Sequence, residues 1–266
     1  MAVPPKRPSA PVGPLPFGPR EAGGEAGGGH DDRLAPRHPQ GVLDLVPPPA
    51  PTFENFIVGD NAELVDLLRG DPSAMPARFV YLWGAPGSGR SHLLRAATVG
   101  SPSGRFMDLR EPDAPLGIEL LAGADGQPVT RLALDNVDAL DVGGGQRLFN
   151  LCNTLRQEHP HCNLLVSGPR PPGALGLRAD LVTRLTWGLT YQVHPLTDAQ
   201  KAAAMAAHAR ARGTVIGPEV LDWLLQTMPR DLPTLLAVVD SLDRHSLAAK
   251  RPVTLPLARE WLRSLG

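Results

Sequence analysis

The chain has 266 residues, a formal net charge of −1 and a pI near 6.7, so it is long enough for one large domain or two small ones. This nearly neutral balance gives no broad electrostatic case for binding nucleic acid. Two cysteines, Cys152 and Cys162, are too few for a disulfide framework and fit a reducing cytosol. Neither a membrane-spanning apolar run nor a secretory signal is present, so we expect a cytoplasmic protein with no membrane partner.

The first fifty residues differ in composition from the rest of the chain. Proline and glycine dominate residues 1–41, and such a segment buries too little apolar surface to offset the entropy lost on ordering. Residues 1–50 are therefore predicted to be a disordered tail. Within them, the apolar island Val42-Leu43-Asp44-Leu45-Val46 is either the first strand of the fold or a docking peptide.

From Thr52 onward, short apolar segments alternate with patterns of helical spacing. The predicted strands cover 79–83, 105–109, 131–135, 163–167 and 189–193. The predicted helices between them cover 61–68, 91–99 and 146–158, with a short one after Ala179. This alternation is typical of a mostly parallel sheet covered by helices on both faces, and it predicts an α/β domain over residues 51–195.

A glycine-rich turn follows the first predicted strand and opens the next helix. The turn has the sequence GAPGSGRS at positions 84–91, which is the phosphate-binding pattern G-x-x-x-x-G-K-[ST] with Arg90 in place of lysine. Its glycines, at positions 84, 87 and 89, allow successive backbone N–H groups to surround an anion. The helix N-terminus adds partial positive charge, and Ser91 supplies a hydroxyl for Mg²⁺. Because arginine is longer and planar, the substitution favours holding a nucleotide over hydrolysing it.

The strand predicted over 131–135 ends in an acidic residue, as in the Walker B pattern. Asp135 is expected to hold the water shell of Mg²⁺ behind Ser91. Many hydrolases place a second carboxylate next to activate water, but Asn136 cannot accept a proton, and Asp138 is the nearest carboxylate. Together with Arg90, Asn136 predicts a chain that binds a nucleotide and hydrolyses it poorly by itself.

After Pro195 only helical patterns follow. Thr197 and Gln200 have the spacing of a capping box, and prolines at positions 218, 233 and 256 mark the starts of further helices. We predict a small all-helical lid over residues 196–266. The predicted fold class is therefore α/β: a P-loop base with a parallel sheet plus a small helical lid, which is the plan of AAA+ proteins.

Four sequence segments occur together in an order that resembles a known family. They are TFENF at 52–56 with GDN at 59–61, the loop 84–91 with its following HLL, LDN at 134–136, and RLTWG at 184–188. With these segments, residues 42–266 resemble the Hda family, the regulatory homologues of the bacterial replication initiator DnaA. Members of that family also tend to carry arginine in the phosphate-binding loop and asparagine after the Walker B aspartate.

The resemblance implies a regulatory AAA+ protein without efficient intrinsic activity. Such a protein binds ADP (or ATP) with Mg²⁺ and docks on the DNA-loaded β sliding clamp of DNA polymerase III. From there it activates hydrolysis of the ATP bound to DnaA and prevents re-initiation of DNA replication. It contacts DNA only indirectly, through the clamp. The chemistry comes from an arginine that enters the partner's nucleotide site in trans.

The same resemblance assigns roles to individual residues. Arg184 falls on the position of the arginine finger, although Arg178 competes for that role and a local pairing of Arg184 with Asp180 is the alternative. Ser167 is the polar stand-in at the sensor I position. Leu43, Asp44 and Leu45 keep the centre of a clamp-binding peptide. The implied nucleotide-binding residues are Gly84, Gly87, Ser88, Gly89, Arg90, Ser91, His92, Asp135 and, at the sensor II position, Arg230, with Ser91 and Asp135 serving the Mg²⁺.

Two other functions remain open at this point. The first is an autonomous ATPase that acts on nucleic acid, related to DnaA or to helicase loaders; Arg90, Asn136 and the neutral net charge oppose it. The second is a small-molecule phosphotransferase, which needs basic lid residues over the phosphates, and the lid offers few of them.

Overall fold

A computed structural model describes residues 49–99, 103–112, 114–123 and 127–265. The predicted tail lies almost entirely outside these ranges. The same holds for the peptide Val42–Val46, including Leu43, Asp44 and Leu45. Among the described residues, no helix combines the length and the apolarity needed to cross a membrane.

The described residues contain one five-stranded parallel sheet. Its strands are β1 (Phe79–Trp83), β2 (Gly104–Asp108), β3 (Arg131–Asp135), β4 (Asn163–Gly168) and β5 (Leu189–Gln192). They lie in the order β2-β3-β4-β1-β5, and every neighbouring pair is parallel. The five predicted strands are confirmed to within one residue at each end.

Helices cover both faces of the sheet, since alternate residues of each strand point to opposite sides. The helices before and between the strands are α1 (Ala62–Arg69), α2 (Arg90–Val99), α3 (Val142–Gln157) and α4 (Ala179–Leu185). One apolar cluster joins Tyr81, Leu132 and Leu134 of the strands to α3 and α4. The opposite cluster joins Val80, Leu82 and Ala133 to α1 and α2.

The start of α3 corrects the predicted bounds 146–158. The helix begins one turn earlier, because the carboxylate of Asp141 caps it by accepting from the backbone N–H of Gly144 at 2.6 Å. Three glycines at positions 143–145 are therefore helical despite their low helix propensity. The cap satisfies a donor that a glycine-rich first turn would otherwise leave unbonded.

The helices that follow β5 form a helical lid with its own apolar core. Its helices are α5 (Asp198–Ala211), α6 (Pro218–Thr227), α7 (Leu232–Ala249) and α8 (Leu255–Arg263). Both halves of the predicted capping box form between Thr197 and Gln200. The buried side chains of the lid include Met205, Leu242 and Trp261.

A buried arginine ties the sheet to the C-terminal ends of two helices. Arg131, at the start of β3, is 2% exposed. Its Nη1 donates to the carbonyl oxygens of Leu68 at 2.8 Å and Ala97 at 3.1 Å, and its Nη2 donates to that of Gly70 at 3.1 Å. The ends of α1 and α2 are thereby satisfied by one side chain. Sequence reasoning missed this role because the acceptors lie far away along the chain.

Candidate functional site

The predicted phosphate loop and the Walker B residue meet at one edge of the sheet. Strand β4 lies between β1 and β3, and all three are parallel. Their carboxyl ends therefore lie side by side. The loop after β1, Asp135 at the end of β3 and Ser167 near the end of β4 are brought together there, which is where parallel α/β sheets place ligands.

Two glycines of the loop are required by close approaches of other groups. A Cβ at Gly84 would lie 2.5 Å from the carbonyl oxygen of Val193, and one at Gly89 would lie 2.7 Å from Cε2 of Phe56. Gly89 also has φ of +100° and Gly87 has φ of +78°, in the region that L side chains rarely adopt. The loop conformation thus excludes side chains at these positions, as an anion-binding nest of backbone N–H groups requires.

The loop buries polar groups that lack partners among the described residues. Ser88 is 6% exposed and Arg90 is 7% exposed, yet the hydroxyl of Ser88 and the Nη1 of Arg90 have no hydrogen-bond partner there. Leaving a buried group unbonded costs about 1–3 kcal/mol. Burial lowers the pKa of Arg90, whereas the negative charges of Asp135 and Asp138 oppose that shift. These groups, beside the exposed Ser91, fit a bound phosphate, which would accept from both.

Asp135 is buried and held by its neighbours. It is 1% exposed, and its Oδ1 accepts from the backbone N–H of Asn136 at 3.1 Å and from the hydroxyl of Ser167. Ser167 is fully buried. The structure therefore brings the polar residue considered for sensor I into direct contact with the Walker B aspartate.

Asn136 has a left-handed backbone, and its side-chain amide is hydrogen-bonded within the protein. Its backbone is left-handed, with φ of 61° and ψ of 52°, a conformation that asparagine tolerates better than most residues. Its Nδ2 donates to Oδ1 of Asp108, at the end of β2, at 2.8 Å. The position after Asp135 therefore holds an amide that is hydrogen-bonded to the carboxylate of Asp108. Asp138 lies in the following short turn and is exposed.

His92 and Asn61 fasten the segment before α1. The Nε2 of His92 donates to the carbonyl oxygen of Thr52 at 2.8 Å, and its ring centroid lies 5.3 Å from that of Phe56. Asn61 donates to the carbonyl oxygen of His194 at 2.9 Å and accepts from its backbone N–H at 2.7 Å. The TFENF segment is thus attached to α2, and the chain before α1 is attached to the chain after β5. The role of Asn61 was not predicted.

Arg184 lies in the last turn of α4 and is partly buried. Its Nε donates to Oδ1 of Asn153 on α3 at 3.0 Å. Its guanidinium carbon lies 4.7 Å from the ring centroid of Phe149 and 4.5 Å from that of Trp187. Neither Nη group hydrogen-bonds to any described residue.

The competing arginine, Arg178, has a different environment. Its Nη2 lies 2.6 Å from Oδ2 of Asp180, and its Nη1 donates to the side-chain oxygen of Gln146. The local alternative paired Asp180 with Arg184, but the structure pairs Asp180 with Arg178 instead. Of the two finger candidates, only Arg184 retains both Nη groups without a partner among the described residues.

Arg230 lies between α6 and α7 and contacts the first turn of α5. Its side chain is 63% exposed, and its Nη2 is 3.6 Å from Oδ2 of Asp198. Pro233 lies in the first turn of α7, where its missing N–H removes no helical hydrogen bond. Asp231 caps that helix by accepting from the N–H of Thr234 at 2.9 Å. Pro233 therefore does not distort the backbone at the start of α7, the helix that follows Arg230.

Comparison with known proteins gives the same architecture. Residues 198–262 match the family model described as Hda, lid domain. Domain III of the replication initiation protein DnaA from Thermotoga maritima is 19% identical, with a TM-score of 0.60 over 83% of this chain and 99% of that one. AMPPCP-bound DnaA from Aquifex aeolicus is 20% identical, with a TM-score of 0.58 over 73% of this chain and 65% of that one.

A second group of solved structures shares the fold. A mutant of RuvB from Thermotoga maritima is 14% identical, with a TM-score of 0.61 over 82% of this chain and 73% of that one. At these identities the likeness concerns the fold alone. The predicted fold class, an AAA+ base with a parallel sheet and a helical lid, is confirmed.

Proposed function

We propose that this chain, which belongs to the Hda family of DnaA-like AAA+ proteins, binds a nucleotide and serves as a regulator rather than as an efficient hydrolase. The observation that carries this proposal is the contrast within one site. The loop buries donors that lack partners among the described residues, whereas the residue after Asp135 is an amide bonded to Asp108. Residues 51–195 form the base and residues 196–266 the lid in this proposal.

The nucleotide is ADP or ATP, held chiefly through its phosphates. The backbone of the glycine loop, the hydroxyl of Ser88 and the guanidinium of Arg90 supply the donors, and the N-terminus of α2 adds partial positive charge. Ser91 and Asp135 would hold Mg²⁺, which neutralises phosphate charge when bound. The DnaA of Aquifex aeolicus, which has the same fold, binds AMPPCP. For His92 and Arg230, contact with the nucleotide remains a prediction.

The partner is DnaA, and Arg184 is the group offered to it. An arginine that enters a neighbour's nucleotide site offsets charge on the transferring phosphoryl, and in related NTPases this contributes roughly 10³–10⁵ in rate. The unbonded Nη groups of Arg184 and its support by two aromatic rings favour this role. Hydrolysis of DnaA-bound ATP would leave the initiator inactive after replication has begun.

The place of action in this proposal is the DNA-loaded β sliding clamp. Leu43, Asp44 and Leu45 are the proposed docking residues, with leucines that would fill an apolar pocket. They lie outside the described residues, so this part rests on the family resemblance and on the sequence of the peptide.

An autonomous ATPase is the second candidate, and one observation favours it. Asp138 is exposed, and its charge acts on Arg90. A carboxylate therefore remains near the phosphate loop although Asn136 occupies the usual position. As general base, Asp138 would accept the proton of the attacking water.

The deciding experiment measures hydrolysis of DnaA-bound ATP with this protein and DNA-loaded clamp each present or omitted. We expect stimulation only when both are present, and little phosphate release by this chain alone. Turnover by the chain alone, without stimulation of DnaA, would overturn the regulatory proposal and make Asp138 the residue to change. Stimulation without the clamp would remove the docking role of Leu43, Asp44 and Leu45.

A further inference from the structure

We propose that Arg110 contacts the third phosphate of a nucleoside triphosphate held by the glycine loop, and thereby makes the site distinguish ATP from ADP. The inference rests on the proposed nucleotide binding and adds a residue to it. Arg110 lies in the turn that follows β2 and is exposed. The residues around it match no phosphate-binding pattern, so the local sequence does not indicate a role in the site.

Hydrogen bonds attach the turn that carries Arg110 to the end of β3. Asp108 is the partner of Asp135 in the parallel register, so their side chains point to the same face of the sheet. The backbone N–H of Leu109 donates to the carbonyl oxygen of Asp135 at 3.0 Å. The N–H of Arg110 donates to Oδ1 of Asp108 at 3.1 Å, and the side chain of Asn136 donates to the same oxygen at 2.8 Å. Arg110 is therefore fixed by its backbone beside the aspartate expected to hold Mg²⁺.

The side chain of Arg110 is not committed to the fold. Its guanidinium forms neither a hydrogen bond nor an ion pair with the residues that the structure describes, although Glu111 follows it directly. The backbone N–H of Glu111 donates to the carbonyl oxygen of Asp108 at 3.1 Å, which closes the turn. A guanidinium carries five N–H groups in a planar fork that matches two oxygens of one phosphate. A rigid turn thus presents a group with the geometry of a phosphate ligand.

The charges around Arg90 favour an anion beside Arg110. Burial is the main cause that lowers the pKa of Arg90, and the positive charge of Arg110 lowers it further, whereas Asp135 and Asp138 act in the opposite direction. The two arginines therefore repel each other. The Nη1 of Arg90 is buried without a hydrogen-bond partner in the described part of the chain. A phosphate group between the two guanidinium groups would accept from both and offset their repulsion.

The order of the strands indicates which phosphate Arg110 meets. The glycine loop follows β1, and β4 and β3 lie between β1 and β2. Asp135 ends β3, and Mg²⁺ held there would bridge the second and third phosphates. Arg110 follows β2, on the side of Asp135 away from the loop, so its fork would meet the end of the phosphate chain. ADP lacks that phosphate and would gain nothing from Arg110.

The test titrates the full chain, with Mg²⁺, against labelled ADP and labelled AMPPCP, a triphosphate analogue that resists hydrolysis. Arg110→Ala should weaken AMPPCP binding about tenfold, as for the loss of a hydrogen bond between charged groups, and should leave ADP binding unchanged. Arg110→Lys should recover part of the loss, because lysine keeps the charge but cannot bind in a bidentate manner. Arg259→Ala removes an exposed arginine of α8. This charge-matched control should change neither affinity.

The two nucleotides separate this inference from the proposed function. Unchanged ADP binding shows that the Arg110→Ala site is folded, so a loss confined to AMPPCP reports the third phosphate. Equal weakening of both nucleotides, or no change in either, would overturn the role of Arg110 and leave the proposed function standing. A wild-type chain that binds neither nucleotide would overturn both. Failure to stimulate DnaA, with the loss in Arg110→Ala still confined to AMPPCP, would remove the regulatory proposal alone.

Discussion

Arg90 and Arg184 both carry unbonded guanidinium nitrogens, but their surroundings are opposite. Arg90 is 7% exposed within the phosphate loop, where an unbonded donor is costly because water cannot reach it. Arg184 lies on the α3–α4 surface against two aromatic rings, and solvent can still reach part of it. The first environment fits a ligand that the chain encloses. The second fits an anion that another molecule brings.

Arg131 shows what an arginine with a purely structural role looks like. It is 2% exposed, and both of its Nη groups bond to carbonyl oxygens at the ends of α1 and α2. Burial alone therefore does not distinguish an arginine that serves a ligand from one that serves the fold. What its terminal nitrogens bond to does distinguish them, and the comparison predicts a different loss for each arginine.

The largest expected effect belongs to Arg184→Ala. The maximal rate of DnaA-bound ATP hydrolysis, with clamp and this protein saturating, should fall by roughly 10³ because the charge offered in trans is removed. Labelled ADP should bind as before, since the described contacts of Arg184 are with Asn153, Phe149 and Trp187. Phosphate release measures the first result and fluorescence anisotropy the second. A variant that stimulates normally would refute the finger assignment.

Arg131→Met should lower the free energy of unfolding by about 3 kcal/mol, because the substitution leaves carbonyl oxygens at two helix ends without their charged donor. Methionine retains much of the apolar stem, so the loss reports mainly the hydrogen bonds. Urea unfolding without nucleotide measures it. The control is Arg259→Met on the exposed face of α8, expected within about 0.5 kcal/mol of wild type. A loss for Arg131→Met no larger than the control's would contradict the capping role.

Arg90→Ala should weaken ADP binding by roughly 10–100-fold, the range that corresponds to losing one hydrogen bond from a charged group. Titration of labelled ADP measures the change, and Arg184→Ala serves as the crossed control with unchanged affinity. Equal weakening in both variants would erase the distinction between an enclosed and an outward-facing arginine. Unchanged binding in Arg90→Ala would show that the backbone nest alone holds the phosphates.

Arg178→Ala should have the smallest effect. Its Nη groups are bonded to Asp180 and Gln146 at the protein surface, and exposed pairs of this kind contribute little. We expect the stimulated rate to change by less than about twofold, in line with a surface substitution away from a site. A loss comparable to that of Arg184→Ala would transfer the finger role to Arg178.

The regular elements were largely predictable from the sequence. Apolar runs bounded by turn residues located each strand in the described part of the chain, and the capping box at Thr197 and the prolines after it located the lid helices. The predicted start of α3 was wrong. Three glycines disfavour a helix locally, but the cap from Asp141 stabilises the first turn. A capping aspartate before the glycines was the signal that could have shown this.

For the candidate site, the sequence identified the residues but not the hydrogen-bond partners of their side chains. Local spacing identified the loop and Asp135, because a phosphate nest and a strand-end carboxylate each need particular residue types within a few positions. Three partners could not be inferred in this way: Asp108 for Asn136, Ser167 for Asp135, and Asn153 for Arg184. In each pair the residues are 28 to 32 positions apart.

By itself, the sequence determined the alternation of strands and helices, the glycine loop with Arg90, and the amide after Asp135. These depend on backbone sterics and on side-chain chemistry within a few residues, which the local sequence contains. Only the tertiary structure decided how each arginine is used. Parallel pairing brings together the ends of strands distant in the chain, and packing of α4 on α3 supplies Arg184 with its acceptor and one of its rings. The groups to which a guanidinium binds therefore depend on residues that are distant in the sequence.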